Sequence, residues 1–396
     1  MNGSYPVDPS ITRTWTEIDL DAISHNLRLV AGRTTPGAKI MAVVKADGYG
    51  HGALEVSRAA LGAGATWLGV AMLDEALALR RAGVVAPILV LWYTAPSVAA
   101  EAVAGGVSLT VYQREVLDAL DEAGRRLGQR ARVHVKVDTG MGRIGLQPEE
   151  AVAFCREVAG RPWVHLEGIF THFAAADSRD KGYTLRQFQR FTRVLKALEE
   201  EGIQVPFRHA ANSAAAIDLP DTHLDLVRVG IAVYGLQPSD ELTHRLPLQP
   251  AMTWKTRVVH VKEAPAGAAI SYGCTFETRR PSTIVTVPVG YADGYSRRWS
   301  NQGQVLLAGR PVPVVGRVCM DQTMVDATEL REAGVEVRVG DEAVLMGRQG
   351  EAFLSANELA EGLGTISYEI ICLVGKRVPR VYLKGGRMVG VSSALP

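Results

Sequence analysis

Between Lys39 and Gly235 the chain alternates eight short apolar runs with segments of helical periodicity, and no other feature narrows its fold as far. The runs are KIMAVV, TWLGVA, PILVLW, VSLTVY, ARVHVKV, HLEGIF, FRHAA and LDLVRVG. Between them, stretches such as LDEALALRRAG, QREVLDALDEAGRRLG and YTLRQFQRFTRVLKALEEEG repeat apolar residues three and four positions apart, which gathers them on one helix face. An unbroken apolar run suits a strand covered on both faces, and a helix between two such strands makes them parallel. Eight strand–helix units predict an α/β fold, a TIM-like (β/α)8 barrel. The strand TWTEIDL precedes the first unit and is one too many for the barrel, so it is free to pair elsewhere.

After about Leu246 the texture changes. Val-, Gly- and Pro-rich runs (TRVVHVK, STIVTVPVG, PVPVVGRVCM, VEVRVGDEAVLM) follow one another through turn residues rather than long helices, which predicts a second, mostly antiparallel β domain. The expected organisation is an N-terminal segment 1–14 associated with the β domain, a barrel over 15–245, and a β domain over 246–396. The linker is expected in HRLPLQP, where two prolines oppose helix continuation.

The 43 basic and 42 acidic residues leave a formal charge of +1, without the basic excess that grips a phosphate backbone, so nucleic acid is not expected as a partner. Cys155, Cys274, Cys319 and Cys372 form no C-x-x-C pair and suggest reduced thiols in a cytoplasmic protein. The opening residues MNGSYPVDPSITRTW have no apolar leader core, and no stretch approaches the ~18 apolar residues of a membrane span. No membrane association and no metal site are expected.

In a barrel the reactive groups follow the C-terminal ends of the strands. The first strand leads to Lys45, the fifth to Lys136, Asp138 and Arg143, the sixth to His172, the seventh to Asn212 and Ser213, and the eighth carries Arg228 before Gly230. A lysine closing a buried strand is desolvated and becomes a nucleophile able to form a Schiff base; a solvated lysine at a loop edge is the alternative. In VHVKVDTGMGRIG the valines alternate with His134, Lys136 and Asp138, which turns the polar set into the barrel. Lys45, Lys136, Arg143 and Arg228 then approach one mouth, and burying like charges without compensation costs several kcal/mol each. A Lys136–Asp138 ion pair is one way out. His172 reads equally as a satisfied core histidine, and single tyrosines in the β domain as sheet packing.

Taken together, KADGYGHG after a buried strand, VKVDTGMGRIG, HAANSAAA, LDLVRVGIAVYG, AAISYGCTF, VGYADGYSR, GRVCMDQTMVD and TISYEIIC resemble, in order, the blocks of the alanine racemase family, from about Trp15 to Tyr382. The resemblance implies that Lys45 carries pyridoxal 5′-phosphate as an aldimine. Tyr49, Ser213, Tyr368 and the backbone of Gly230 and Ile231 then hold the phosphate, with Asn212 beside them. It implies a carbamylated Lys136 serving as anionic partner of Arg143, which also lies near the ring hydroxyl and the substrate carboxylate. His172 orients Arg228, while Tyr291, Met320 and Asp321 line the substrate. Cys274 stands where many relatives carry arginine, which alters local charge.

Arg228 bears on the choice of reaction. An arginine only donates, so a ring nitrogen facing it stays unprotonated, and the weaker electron sink favours racemisation over transamination. The implied reaction interconverts L- and D-alanine with Lys45 and Tyr272 as bases on opposite faces, supplying D-alanine for peptidoglycan, in a homodimer whose sites are shared between chains. Free tyrosine titrates near ~10, so Tyr272 needs positive charge nearby. A broader amino-acid racemase acting on serine or others is the first alternative. A related decarboxylase, opposed by Arg228 and ISYG, and a cofactor-carrier protein lacking the second domain are the others.

Overall fold

The computed structural model describes residues 13–392, which fall into two compact units. One holds Ala22–Gly48 and Ala53–Gln249; the other holds the described residues up to Asp21, then Tyr49–Gly52 and the chain from Pro250. Among the described residues no helix is long and apolar enough to cross a membrane.

The first unit is the expected barrel. Its strands run Lys39–Val43, Trp67–Val70, Ile88–Val90, Ser108–Val111, Ala131–Lys136, Val164–Phe170 and Phe207–His209, each parallel to the one before, and Leu226–Val229 pairs with Lys39–Val43 on the other side. The circle is completed by hydrogen bonds from the Asp225 amide to Arg208 O (3.0 Å) and from the Arg228 amide to Ala211 O (3.0 Å). Met41, Trp67, Leu89 and Leu226, from four strands, pack into one buried cluster with Leu91 and Phe207.

Helices form where the periodicity places them. Arg114–Leu127 buries Val116, Leu117, Leu120 and Ala123, the residues three or four apart, and stops at Gly128, whose φ of +66° gives a left-handed cap that a side chain would oppose. Helix Leu20–Ala31 is tied to the segments after the last strand, where buried Asn26 donates to Val233 O (3.1 Å) and Gln249 O (2.8 Å) and accepts from the Gln249 amide (2.8 Å).

The second unit is mainly antiparallel. Its large sheet runs in the order Arg310–Pro313, Gln304–Leu307, Glu342–Gln349, Met252–Arg257, Thr14–Asp19, Arg380–Lys384, Arg387–Ser392. The early strand lies in the middle of this sheet, antiparallel to Met252–Arg257 and parallel to Arg380–Lys384. This corrects the barrel start at residue 15: the segment 15–19 belongs to the β sheet, because both its edges are paired there and Trp15, Thr16 and Ile18 are buried in it. Of the N-terminal segment 1–14, residues 1–12 lie outside the described residues, and Arg13 pairs with the Asp293 carboxylate of the β unit (3.0 Å). A three-stranded sheet (His260–Ala264, Ser282–Val287, Thr323–Asp326) and a two-residue hairpin pair belong to the same unit, with the helices Ala356–Leu363 and Ser367–Leu373.

Candidate active site

The turn after the first barrel strand is strained in a way the apolar run before it does not foretell. Ala46, Asp47, Gly48, Tyr49 and Gly50 all have positive φ, between +51° and +81°, and the left-handed region costs an L-residue about 1–2 kcal/mol each. Local hydrogen bonds hold the turn. Glu75 Oε1 accepts from the Ala46 amide (2.6 Å), Asp47 Oδ1 from the Ala53 amide (2.9 Å), and Val44 O from the Gly48 amide (2.9 Å). Lys45 stands at the head of this turn, half-buried, with Nζ 5.8 Å from the Trp92 ring centre.

Arg228 is buried in the barrel and anchored at several points. Its guanidinium donates to Thr171 O (2.8 Å), Ala210 O (2.9 Å), His172 Nδ1 (3.1 Å) and His209 Nδ1 (3.1 Å), all neutral acceptors. Burial, then Arg143, pull it down to about 9, which leaves it protonated at neutral pH. His172 is held well below the usual histidine range by burial first, then by Arg228, Lys136, Arg143 and Lys45. These four basic side chains, each at or near a strand's C-terminal end, are therefore gathered around one imidazole.

Lys136 is 2% exposed and its Nζ donates to Val137 O (3.2 Å). Burial, then Arg228, with Arg143 adding and Asp138 opposing, push it well below the ordinary lysine value. The Asp138 carboxylate is occupied by the amides of Gly140 (2.9 Å), Met141 (2.8 Å) and Gly142 (3.0 Å), so it shapes the loop toward exposed Arg143 rather than neutralising Lys136. The ion-pair reading of these two residues is thereby disfavoured.

Asn212 Oδ1 caps the helix Ser213–Asp218 by accepting from the Ala215 amide (3.0 Å), a task the sequence pattern alone did not single out. The buried Ser213 hydroxyl accepts from the Gly230 amide (2.9 Å), which brings the ends of the seventh and eighth strands together, with Ile231 beginning the next turn.

The β unit collects the remaining residues. The rings of Tyr49 and Tyr368 lie 6.5 Å apart, and burial, then Tyr368 and Cys372, push the Tyr49 phenol upward. Gly50 and Gly52 admit no side chain: a Cβ would stand 2.4 Å from Ile371 O and 1.9 Å from the Tyr382 hydroxyl. Buried Arg380 donates to Gly50 O (3.0 Å), Val374 O (2.8 Å) and Val378 O (2.7 Å). Tyr272 is 73% exposed in a second left-handed turn (Ser271 +67°, Gly273 +72°, Cys274 +47°), whose Ser271 hydroxyl donates to Arg317 O (2.6 Å). The amides of Tyr291 and Ala292 donate to Cys319 O (3.0 Å) and Met320 O (3.1 Å), which zips the Tyr291 loop to the Met320–Asp321 loop. Arg377 bridges the carboxylates of Asp321 (2.6 Å) and Asp293 (2.7 Å).

Residues 18–238 match the family Alanine racemase, N-terminal domain, and residues 251–382 match Alanine racemase, C-terminal domain. The chain belongs to the alanine racemase family. It is 52% identical over 370 residues to the alanine racemase of Desulfovibrio desulfuricans, covering 93% of this chain and 98% of that one. It superposes on an alanine racemase of Clostridium difficile with a TM-score of 0.93 at 40% identity, covering 97% of this chain and 99% of the other. A histidine racemase of Leuconostoc mesenteroides shares the fold with a TM-score of 0.86 at 31% identity, over 95% and 99% of the two chains.

For an alanine racemase, the expected residues divide cleanly. Lys45, Lys136, Arg143, His172, Asn212, Ser213, Arg228, Gly230 and Ile231 belong to the barrel unit, and Tyr49, Tyr272, Tyr291, Met320, Asp321 and Tyr368 to the β unit. Sequence reasoning missed Glu75, His209 and Arg377. The FRHAAN block contained His209, and a polar residue in a barrel strand was the available signal. Glu75 and Arg377 stand in ordinary amphipathic and turn contexts that carry none.

Proposed function

We infer that this alanine racemase interconverts L- and D-alanine with pyridoxal 5′-phosphate held on Lys45, and that it supplies D-alanine for peptidoglycan. The observation that carries the reading is the convergence of Lys45, Lys136, Arg143 and Arg228 at the C-terminal ends of the barrel strands, all acting on His172. The donor set fits the cofactor: a lysine for its aldehyde, the Ser213 hydroxyl and the Gly230–Ile231 backbone for its phosphate, and cations for its anionic oxygens. When bound, the group supplies a conjugated sink for the electron pair left by α-proton removal.

The chain's own residues do the rest. Lys45 and Tyr272 exchange the α-proton on opposite faces, each acting as base in one direction and as acid in the other. Arg228, a donor-only group, would face the ring nitrogen of the bound group and leave that nitrogen unprotonated. Lys136, carbamylated, presents an anion to Arg143, whose guanidinium binds the substrate carboxylate; Tyr291, Met320 and Asp321 bound the side-chain space. Tyr49 and Tyr368 complete the phosphate end. The enzyme acts in the cytoplasm as a homodimer with sites shared between chains.

Borohydride reduction followed by peptide mapping should place the pyridoxyl adduct on Lys45; an adduct on any other lysine removes the basis of the mechanism. A chiral assay across amino acids should find alanine fastest. The fold also carries a histidine racemase, so a broader substrate range is the second reading. An apolar pocket rejects a side chain that merely adds a hydroxyl by only about a hundredfold, and slow turnover of serine is expected.

A further inference from the structure

Behind Arg228 the barrel holds a line of buried polar side chains that the reaction above does not use. His209 Nδ1 lies 3.1 Å from Arg228 Nη1, His209 Nε2 lies 2.8 Å from His134 Nδ1, and His134 Nε2 lies 3.2 Å from Glu167 Oε2, which also accepts from the Ser108 hydroxyl. Neither histidine has any solvent exposure. The five residues come from five different barrel strands. The fold therefore brings them together, where no local pattern does.

The arginine sets the direction of this line. A guanidinium has donors only, so His209 Nδ1 must accept and its proton must sit on Nε2. His209 Nε2–H then donates to His134 Nδ1, which places the His134 proton on Nε2, and that proton points to a carboxylate, an acceptor at the required end. Burial holds both histidines below the usual range and thus neutral; Arg228 adds to it for each, while Glu167 opposes it for His134. Without an acceptor at Glu167, His134 is free to place its proton on Nδ1. That pushes a proton onto His209 Nδ1 and sets two donors against each other at Arg228.

We propose that Glu167 is a positioning residue for racemisation: its carboxylate, through His134 and His209, locks one proton register and so holds the Arg228 guanidinium in its donor-only orientation. The proposal rests on the reading that Arg228 faces the ring nitrogen. Long-range 1H–15N spectra of 15N-histidine-labelled full-length protein, with and without cofactor, should show both imidazoles bare at Nδ1 and protonated at Nε2. Glu167→Gln, whose amide oxygen still accepts, should retain that register. Glu167→Met removes the acceptor and should give mixed tautomers at His209, with kcat down about ten- to a hundredfold at nearly constant KM and a larger share of turnovers ending in transamination.

A wild-type His209 protonated on Nδ1 overturns the proposal, as does a Glu167→Met enzyme with native register or native partition. Should that variant fail to fold, Glu167→Asp, which withdraws the carboxylate by one methylene, takes its place with the same loss of register expected. Arg228→Glu in the same assay isolates the underlying reading. An unchanged partition there removes Arg228 from the ring nitrogen while leaving the measured register of the histidines intact.

Discussion

Burial among cations favours the neutral form of an amine, and the neutral form is the one that attacks carbon dioxide. Lys136 meets that condition through burial and Arg228, while the Asp138 carboxylate is taken up by backbone amides. Carbamylation joins the neutral amine nitrogen to carbon dioxide, releases one proton and leaves an anion where the amine was uncharged. Lys136→Ala should therefore abolish most racemisation, and a small added carboxylate should restore part of it by replacing the lost anion beside Arg143; electron density of an unmodified ammonium in the active enzyme at neutral pH would reject this. The buried histidines make a second prediction, on stability. His134 and His209 are depressed in the folded chain, whereas in the unfolded chain they titrate near ~6.5, so below that pH the unfolded state binds more protons. Stability is retained above about pH 6.5 and falls as the pH drops from there toward the folded values, by about 1.4 kcal/mol per pH unit for each histidine. Urea midpoints between pH 7 and 5 should show the slope, and His209→Gln should flatten it. A midpoint indifferent to pH over that window would mean the imidazoles are not buried neutral.

At the level of elements, the strand Thr14–Asp19 and the KADGYGHG turn matter beyond their length. The strand is paired along both edges, and Trp15 is fully buried against Val381 and Leu383. Trp15→Ala should destabilise by about 3–5 kcal/mol, read as a lower denaturant midpoint, because a large cavity opens in the middle of a sheet that cannot close over it. A change under about 1 kcal/mol would mean the strand is peripheral. The turn makes the opposite demand, for absence of a side chain. Gly50 has φ of +81° and an added Cβ would meet Ile371 O at 2.4 Å. Gly50→Ala should destabilise by about 1–3 kcal/mol through overpacking and backbone strain, and by displacing neighbouring Tyr49 should raise the dissociation constant for pyridoxal phosphate in a fluorescence titration. Native affinity in this variant would separate the turn from the phosphate end.

On the scale of the whole molecule, the residues proposed for the reaction are divided between two units of the chain, with Lys45 in one and Tyr272 in the other. Two bases on opposite faces of one planar group require ångström-level placement. The proposed two-fold pairing of chains would offer it with two equivalent sites, each β unit serving the neighbour's barrel. Homodimers of Lys45→Ala and of Tyr272→Phe should each be nearly inactive. A heterodimer of the two then contains one doubly damaged site and one intact site, so mixing after dissociation should recover about half of the native activity per heterodimer. Verified heterodimers without activity would mean that both bases come from one chain.

The eight strand–helix units, the change to β texture after Leu246 and the ordered family blocks were legible in the sequence, because periodicity records which face of an element is buried and a motif records local chemistry. His134 was legible as inward-facing from the alternation in VHVKV for the same reason. Its partners were not: Glu167 and His209 stand 33 and 75 residues away, and nothing in the spacing of a strand says which side chains meet across a closed barrel. The central place of Thr14–Asp19 was hidden likewise, since its partners Met252–Arg257 and Arg380–Lys384 are chosen by backbone pairing between distant segments. The left-handed turn after Lys45 was equally out of reach, for alanine, aspartate and tyrosine resist that conformation and adopt it here where Glu75, from another element, holds the Ala46 amide. Local preference was written in the residues; long-range pairing and imposed strain were decided only when the chain closed on itself.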